Sequence, residues 1–163
     1  MSRGEPYTIG HEEFTILHSN VRGFISRVAE LSARLRLMVR KPSVLCLTET
    51  WADKGLPSMR IEGYTLFSRR DHAGGRLGGG VAVFALERLA HRVTFFENSQ
   101  VAERSWVIVR SDHGPYVIGC YYRPPAPGEV DSIRSFKEEA QSHATNAVGC
   151  VLLVTSTSII GSG

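Results

Sequence analysis

Two apolar runs of strand length flank a segment with helical spacing between residues 14 and 49, and this arrangement limits the folds available to the chain. The runs are FTILHSN (14–20) and SVLCLTE (43–49), and the second is apolar on both faces, as a buried parallel strand is. Between them, apolar residues recur at intervals of three and four, at Phe24, Ile25, Val28, Leu31, Leu35, Met38 and Val39. The spacing predicts an amphipathic helix that ends before Pro42, and the whole segment predicts a β-α-β unit.

Short β-rich runs separated by turn residues follow this unit. We predict strands at 64–69, 79–85, 91–96, 104–110 and 116–122, and their close spacing favours antiparallel hairpins. Helix-forming residues predict a second helix over 129–145, and the apolar run 151–154 predicts a last strand. The 163 residues are 42% hydrophobic and 21% charged, which excludes disordered and collagen-like classes. The expected fold class is mixed α/β, a single unit in which helices cover the sheets.

Charge, cysteine content and the N-terminal residues bear on partners and compartment. The net charge of +3 is compatible with a polyanionic partner without requiring one. The three cysteines, Cys46, Cys120 and Cys150, lie far apart in apolar runs, which favours buried thiols over disulfides or zinc ligation and indicates a reducing compartment. Residues 1–13 form a polar extension without the apolar core of a signal peptide, and no apolar run reaches membrane-spanning length. We therefore expect an intracellular protein, nuclear or cytoplasmic, without membrane association or an organic cofactor, while its oligomeric state stays open.

Polar residues stand at the ends of the first two predicted strands. Asn20 follows one and Glu49 the other, at the carboxyl edge where ligands bind in sheets with β-α connections. An amide oxygen and a carboxylate are hard donors that suit Mg²⁺. Taken singly, Asn20 also fits a turn and helix cap, and Glu49 a solvated strand end.

Two further stretches contain candidate phosphate contacts. At the end of the strand 116–122, Tyr122 is placed to donate a hydrogen bond to a phosphate oxygen and Arg123 to pair with one, although packing is the alternative for the tyrosine. The segment 68–83 is rich in glycine and contains Arg69, Arg70 and Arg76, which are candidates for contact with a nucleic-acid backbone. It fits neither the P-loop nor the G-x-G-x-x-G spacing, so a flexible hairpin loop is the other interpretation.

Five motifs in register resemble one known superfamily. They are SNVRG (19–23), LTETW (47–51), GGGVAVF (78–84), ERSW (103–106) and YYRPP (121–125). In this order and spacing they resemble the endonuclease/exonuclease/phosphatase superfamily, and most of all the endonuclease domain of non-LTR retrotransposon polyproteins. The resemblance extends from Phe14 to Val154.

The resemblance implies a fold, a chemistry and roles for individual residues. The fold is a four-layer sandwich of two mixed β-sheets flanked by helices, and the chemistry is Mg²⁺-dependent phosphodiester hydrolysis of DNA. Asn20 and Glu49 match the metal-binding positions, and Tyr122 matches the tyrosine that contacts the scissile phosphate. Arg123 and Glu103 have weaker counterparts.

The chain departs from the pattern after the last predicted strand. The superfamily has Gly-Asp-Phe/Leu-Asn there, whereas this chain has Thr155-Ser156-Thr157-Ser158 and stops before the strands that would contain the final Asp and His. We therefore expect a partial domain over 14–154, with a tail of 155–163 outside the pattern, that retains the metal side of the site and is inactive. Such a domain should leave inner-face residues, Val107, Ile118 and Val151, poorly covered. The alternatives are a non-catalytic fragment that binds nucleic acid or protein through its arginines, and a phosphatase or lipid phosphodiesterase of the same superfamily.

Overall fold

The strands of the computed structural model form two four-stranded sheets and a short N-terminal hairpin. The structure describes residues 8–9, 12–72, 78–99, 102–123 and 129–156. The strands are β1 (Thr8–Ile9), β2 (Glu12–Glu13), β3 (Ile16–Asn20), β4 (Val44–Thr48), β5 (Tyr64–Arg70), β6 (Val81–Leu86), β7 (Val93–Asn98), β8 (Arg104–Ser111), β9 (Gly114–Arg123) and β10 (Gly149–Ser156). The α-helices are α1 (Phe24–Leu37) and α2 (Glu129–His143), and short 3-10 helices span Glu87–Arg92 and Ala144–Asn146.

The first sheet has the strand order β3-β4-β6-β5. Strands β3 and β4 are parallel and are joined through α1, which confirms the predicted β-α-β unit. Strand β6 pairs antiparallel with both β4 and β5. All five residues of β4 are buried, as the apolar run on both of its faces predicted.

The second sheet has the strand order β10-β9-β8-β7. Strands β7, β8 and β9 form the antiparallel hairpins expected from their close spacing. Strand β10 is parallel to β9, with Gly149 opposite Tyr116 and Thr155 opposite Tyr122. This strand continues to Ser156, two residues beyond the predicted run 151–154.

The two sheets pack face to face with one helix outside each, which confirms the predicted four-layer arrangement. On the first sheet, the ring of Phe24 in α1 stacks on Phe84 with centroids 6.2 Å apart. On the second, residues of α2, including Phe136, pack against Trp106. The main core lies between the sheets and contains residues of both, such as Val83 and Ile118. Within the described ranges, no helix has the length and apolar character needed to cross a bilayer.

Helix α1 is shorter than its apolar spacing predicted. It ends at Leu37, because Met38 already has extended backbone angles, and residues 38–43 connect the helix to β4. Ile25 and Val39, which share the apolar spacing, are 71% and 102% exposed, so the buried stripe is narrower than expected. The predicted strand 91–96 also shifts to Val93–Asn98, since its first two residues belong to a 3-10 helix.

The expected exposure of inner-face residues is wrong for the second sheet. Val107 and Ile118 are 0% exposed, because the first sheet covers the face on which they lie. Val151 on β10 is half-buried against the same core. Exposed apolar side chains of β10 are those on its other face, Leu152 and Val154.

A buried ion pair fastens α2 to the second sheet. Arg104 is fully buried, lies over the ring of Tyr121 at 4.2 Å, and contacts the Glu139 carboxylate at 3.0 Å. Glu139 also accepts hydrogen bonds from Ser99 and from Nε1 of Trp106. Burial alone would raise the pKa of Glu139, but these hydrogen bonds and the Arg104 charge outweigh it, so its pKa lies below the ordinary value.

Candidate functional site

The loops after β3 and β4 are joined to each other by backbone hydrogen bonds. Val21 donates to the carbonyl of Thr48 at 2.9 Å, Gly23 to that of Glu49 at 2.9 Å, and Phe24 to that of Thr50 at 2.8 Å. These bonds continue the β3–β4 pairing beyond the strands and into the first turn of α1. The carboxyl edge of the sheet is therefore a fixed surface rather than two independent loops.

Backbone strain is concentrated at this edge. Among the described residues, the non-glycine residues with positive φ are Arg22, Glu49 and Trp51, at 47°, 54° and 53°. Each left-handed residue of this kind costs about 1–3 kcal/mol, and such residues cluster at functional sites. The left-handed residues turn the chain sharply after β3 and after β4, and Glu49 lies at the carboxyl edge of the first sheet.

Glu49 is a buried carboxylate without a full set of partners. Its side chain is 10% exposed, and its Oε2 accepts no hydrogen bond from the described residues. The nearest described cation is Arg22, whose Nε lies 3.7 Å from Oε2 and whose side chain is 68% exposed. A buried carboxylate oxygen left without a donor is costly unless a cation or another ligand satisfies it.

Asn20 lies one register position away from Glu49. It pairs with Thr48, the residue that precedes Glu49, and it is exposed. Asn20 also lines an open groove of about 240 Å³ between β3 and α1, whose lining residues are Ser19, Asn20, Val21, Arg22, Arg27, Glu30, Leu31 and Arg34. Its amide is therefore accessible from solvent at the end of the sheet.

Tyr122 lies at the corresponding end of the second sheet. It is 6% exposed and belongs, with Ile118 and Cys120, to the core between the sheets. Its N–H donates to the carbonyl of Glu103 at 3.0 Å. Arg123 is the last residue of β9, and its side chain lies outside the described part of the structure.

Glu103 connects the ends of the two sheets. Its Oε1 accepts the N–H of Gly80 at 2.7 Å, and the carbonyl of Gly80 accepts the N–H of Thr50 at 3.4 Å. Glu49 and Tyr122 therefore lie at the same end of the sandwich, linked through Glu103 and Gly80. Both Gly79 and Gly80 have positive φ, and a Cβ would collide with the Glu103 carboxylate at Gly79 and with Thr50 Oγ1 at Gly80.

His72, which the sequence did not single out as a candidate, also lies at this end of the sandwich. Nδ1 of His72 lies 3.1 Å from Oε1 of Glu103, and its side chain is 31% exposed. His72 belongs to the segment for which a flexible hairpin loop was one interpretation. The signal that could have found it is the neighbouring glycine run, whose last two residues are buried under Glu103.

The register of β10 fixes what lies next to Tyr122. Thr155 is its partner in the parallel ladder, and Ser156 is the partner of Arg123. The resemblance places an acidic and an amide residue immediately after this strand. In this chain the positions are occupied by hydroxyl residues, whose side chains lie outside the described part of the structure.

The predicted phosphate-binding arginines are partly engaged within the protein. Arg69 forms a bidentate pair with Asp71, with Nε and Oδ1 2.8 Å apart, and also donates to the carbonyl of Asp53. Nε of Arg70 donates to the carbonyl of Ala102 at 2.9 Å. Arg76 lies outside the described residues.

The residues at this edge offer few protein ligands for a hard divalent cation. In the described ranges, no group of three or more His, Cys, Asp and Glu side chains could hold a metal ion. The described residues at this edge include the buried carboxylate of Glu49 and the exposed amide of Asn20. Mg²⁺ commonly uses one or two protein ligands and fills its other positions with water and phosphate oxygens, so this set fits it.

The chain has the fold of the endonuclease/exonuclease/phosphatase proteins. One solved structure similar to it is the endonuclease domain of TRAS1, a telomere-specific non-LTR retrotransposon, with a TM-score of 0.55 and 14% identity over 91% of this chain and 60% of that one. The resemblance noted in the sequence is thus confirmed at the level of the fold.

Two other solved structures are also similar to this chain. An AP endonuclease from Leishmania major has a TM-score of 0.64 and 16% identity, over 91% of this chain and 59% of its own. A 3'-5' exonuclease, NExo, from Neisseria meningitidis has a TM-score of 0.60 and 16% identity, over 86% of this chain and 57% of its own. This chain therefore spans between 57% and 60% of the three structures. No protein-family model and no curated protein sequence matches it.

Proposed function

We propose that this chain is a portion of a DNA endonuclease domain of the retroelement type, which binds DNA and Mg²⁺ at the Glu49 end of the sandwich and does not cleave DNA with its own residues. The observation that carries the proposal is the Glu49 carboxylate, which is buried at the mouth of the sheet with Oε2 lacking a hydrogen-bond donor among the described residues. The names of the three similar structures, all of them nucleases, support a nucleic-acid substrate.

Glu49 and Asn20 are the residues that would hold the metal. Bound Mg²⁺ would supply neutralisation of the negative charge on a substrate phosphate. Arg22, exposed and 3.7 Å from the Glu49 carboxylate, adds a positive charge at the same mouth. If Mg²⁺ were bound by the Glu49 carboxylate, the Arg22 guanidinium could pair with a phosphate oxygen instead.

Tyr122 and Arg123 would bind the phosphate from the second sheet. The Tyr122 ring is buried at the end of the core, which fixes its position, and its hydroxyl can donate to a phosphate oxygen. Glu103 holds the Tyr122 backbone and, through Gly80, the loop that contains Glu49. We infer that it positions the two halves of the site against each other.

Hydrolysis requires more than these residues supply. A base must lie within hydrogen-bond reach of the attacking water, and its contribution is typically about 10²–10⁴-fold. The positions beside Tyr122 and Arg123 are Thr155 and Ser156, and a hydroxyl does not act as a base near neutral pH. We therefore expect binding without cleavage from this chain.

One observation favours cleavage as the competing function. Nδ1 of His72 lies 3.1 Å from Oε1 of Glu103 without a hydrogen bond to any described residue, and an imidazole nitrogen can act as a base. If this pair reached the attacking water, it would supply the base that Thr155 and Ser156 do not. His72→Ala then distinguishes the two functions, because it abolishes cleavage and leaves metal-dependent binding intact.

The test measures DNA binding and plasmid nicking on the same preparations, each purified twice to remove contaminating nuclease. We expect labelled duplex DNA to bind more tightly in Mg²⁺ than in chelator, and this increment to disappear in Glu49→Gln but not in the control Glu62→Gln, whose side chain is exposed. Supercoiled plasmid should be nicked no faster by the parent than by Glu49→Gln. Binding indifferent to Mg²⁺ would contradict the metal site, and nicking lost in both Glu49→Gln and His72→Ala would establish the competing function.

A further inference from the structure

An exposed tryptophan lies beside the candidate site and has no part in the functions described so far. The chain has two tryptophans; Trp106 is fully buried, whereas Trp51 is 41% exposed. Trp51 follows Glu49 by two residues, and two residues span at most about 7 Å. The Cα atoms of Glu49 and Trp51 are therefore at most about 7 Å apart, so both residues lie at the same edge of the sheet.

The backbone of Trp51 is strained, whereas a hydrogen bond and packing hold the residue in place. Its φ of 53° is left-handed, which is unfavourable for a bulky residue, and its N–H donates to the carbonyl of Gly79 at 3.0 Å. The ring lies on Gly23, since a Cβ at Gly23 would be 3.0 Å from its Cε3 atom. A strained and anchored aromatic that still leaves much of its surface in solvent is not explained by packing alone.

The surroundings of the exposed ring suit a nucleic-acid strand. Arg22, with a side chain 68% exposed, lies in the loop that Trp51 covers, so a flat apolar surface adjoins a positive charge. A nucleotide offers the complementary pair, a flat base and a negative phosphate. Stacking of bases on aromatic side chains tolerates any sequence, because every base has a π-face.

We propose that Trp51 is a base-stacking residue, which receives an unstacked base of the DNA strand whose phosphate lies at Glu49. The proposal rests on the proposed function and deepens it, because it selects single-stranded or locally opened DNA over intact duplex. In an intact duplex both faces of a base are already stacked on neighbours, so the indole gains a partner only where a base is free.

Fluorescence and binding measurements with two oligomers test the proposal. One oligomer is a fluorescently labelled single-stranded dT12, and the other is a labelled sugar-phosphate oligomer of equal length without bases. Saturation with unlabelled dT12 should quench the tryptophan emission of the parent, and the base-free oligomer should not. Trp51→Phe retains Trp106 as its only tryptophan and should show no quenching.

Affinities measured by anisotropy give the second readout. Removal of one stacking aromatic corresponds to about 5- to 150-fold weaker binding, so Trp51→Ala should bind dT12 more weakly by that factor, and Trp51→Phe by less. Neither substitution should change the affinity for the base-free oligomer. Urea denaturation confirms folding, and Trp51→Phe decides the question if Trp51→Ala does not fold.

The possible outcomes separate this proposal from the function on which it rests. Equal binding of dT12 by parent and Trp51→Ala, or equal quenching by both oligomers, overturns the stacking role and leaves DNA binding at Glu49 standing. Failure of the parent to bind either oligomer overturns both. Quenching by a protein partner but not by dT12 would assign Trp51 to a protein interface instead.

Discussion

The carboxylate of Glu103, just before β8, accepts the N–H of Gly80, just before β6, at 2.7 Å. The two residues lie at the ends of different sheets. The backbone carbonyl of Glu103 also accepts a hydrogen bond from the N–H of Tyr122. Glu103 thereby fixes the separation between the loop that contains Glu49 and the end of the strand that contains Tyr122.

Replacement of Glu103 should therefore loosen the site and destabilise the fold. Glu103→Ala leaves the partly buried Gly80 N–H without its acceptor, which costs about 1–3 kcal/mol of unfolding free energy. Glu103→Gln keeps an acceptor oxygen and should cost less. Urea denaturation measures both, with the exposed Glu62→Gln as the control. A Glu103→Ala midpoint equal to that of the control would contradict the bridging role.

Periodicity was sufficient to predict most of the strands and the edge at which the candidate residues lie. The apolar runs of β3 and β4 and the spacing of α1 predicted the β-α-β unit, and the strand ends placed Asn20 and Glu49 at one edge. The contacts between the two sheets could not be predicted from periodicity. Glu103 and Gly80 are 23 residues apart, and their hydrogen bond depends on how two sheets stack, which no local pattern encodes.

The other differences between the sequence-based predictions and the structure have local physical causes. The apolar spacing of α1 continued through Val39, but Met38 has extended backbone angles and Val39 is fully exposed, so the helix ends at Leu37. The left-handed backbone at Trp51 follows from its bond to Gly79 and not from its residue type. Gly79 and Gly80, for which a flexible loop was one interpretation, are buried, because a Cβ would collide with Glu103 at Gly79 and with Thr50 at Gly80.

Stability should fall in acid through Glu139. Its pKa is lowered in the folded protein, so its contribution is full above the pKa of the unfolded chain, near 4.5, and is lost as the pH falls through the folded value. Glu139→Gln should reduce stability at pH 7, because it removes the charge beside the buried Arg104, and should flatten the acid limb. Thermal unfolding followed between pH 7 and pH 3 measures both effects. An acid limb that parent and variant share would show that other carboxylates cause it.

Stability should also fall in alkali through Tyr64. Burial raises the pKa of Tyr64 to about 12, and its hydroxyl donates to the carbonyl of Pro42 at 2.7 Å. A folded pKa above the unfolded value of 10 means that this contribution is full below pH 10 and is lost between pH 10 and about 12. Tyr64→Phe should be less stable at pH 8 and lose less stability up to pH 12. An unchanged alkaline slope would place the titrating groups elsewhere.

The three cysteines should differ in reactivity. Cys46 and Cys120 are both fully buried, and the contact with the Cys120 thiol, followed by burial, raises the pKa of Cys46. Cys150 is exposed, although partial burial raises its pKa too. A thiol reagent should therefore modify Cys150 slowly in the native protein and all three cysteines in denaturant. Rapid labelling of Cys46 or Cys120 without denaturant would mean that the sheets separate readily.

Binding of DNA should depend on salt and on the arginines of the β5–β6 segment. Each arginine that contacts a phosphate contributes about 0.7–0.9 to the slope of log affinity against log salt. Changing Arg69, Arg70 and Arg76 together to alanine should weaken binding to all sequences alike and reduce this slope. Because Asp71 occupies the guanidinium of Arg69, Asp71→Asn should strengthen binding.

The matched control is Arg110→Ala, an exposed arginine six residues along β8 from Arg104, or about 20 Å from the candidate site. It removes the same charge per residue from the far end of the second sheet and should leave the slope unchanged. Fluorescence anisotropy with one labelled duplex, repeated from 50 to 300 mM salt, yields every slope. If the triple variant and Arg110→Ala lowered the slope equally per charge, binding would respond to net charge alone. A slope insensitive to all these changes would place the phosphate contacts on other residues, and Arg22 beside Glu49 would then be the first to replace.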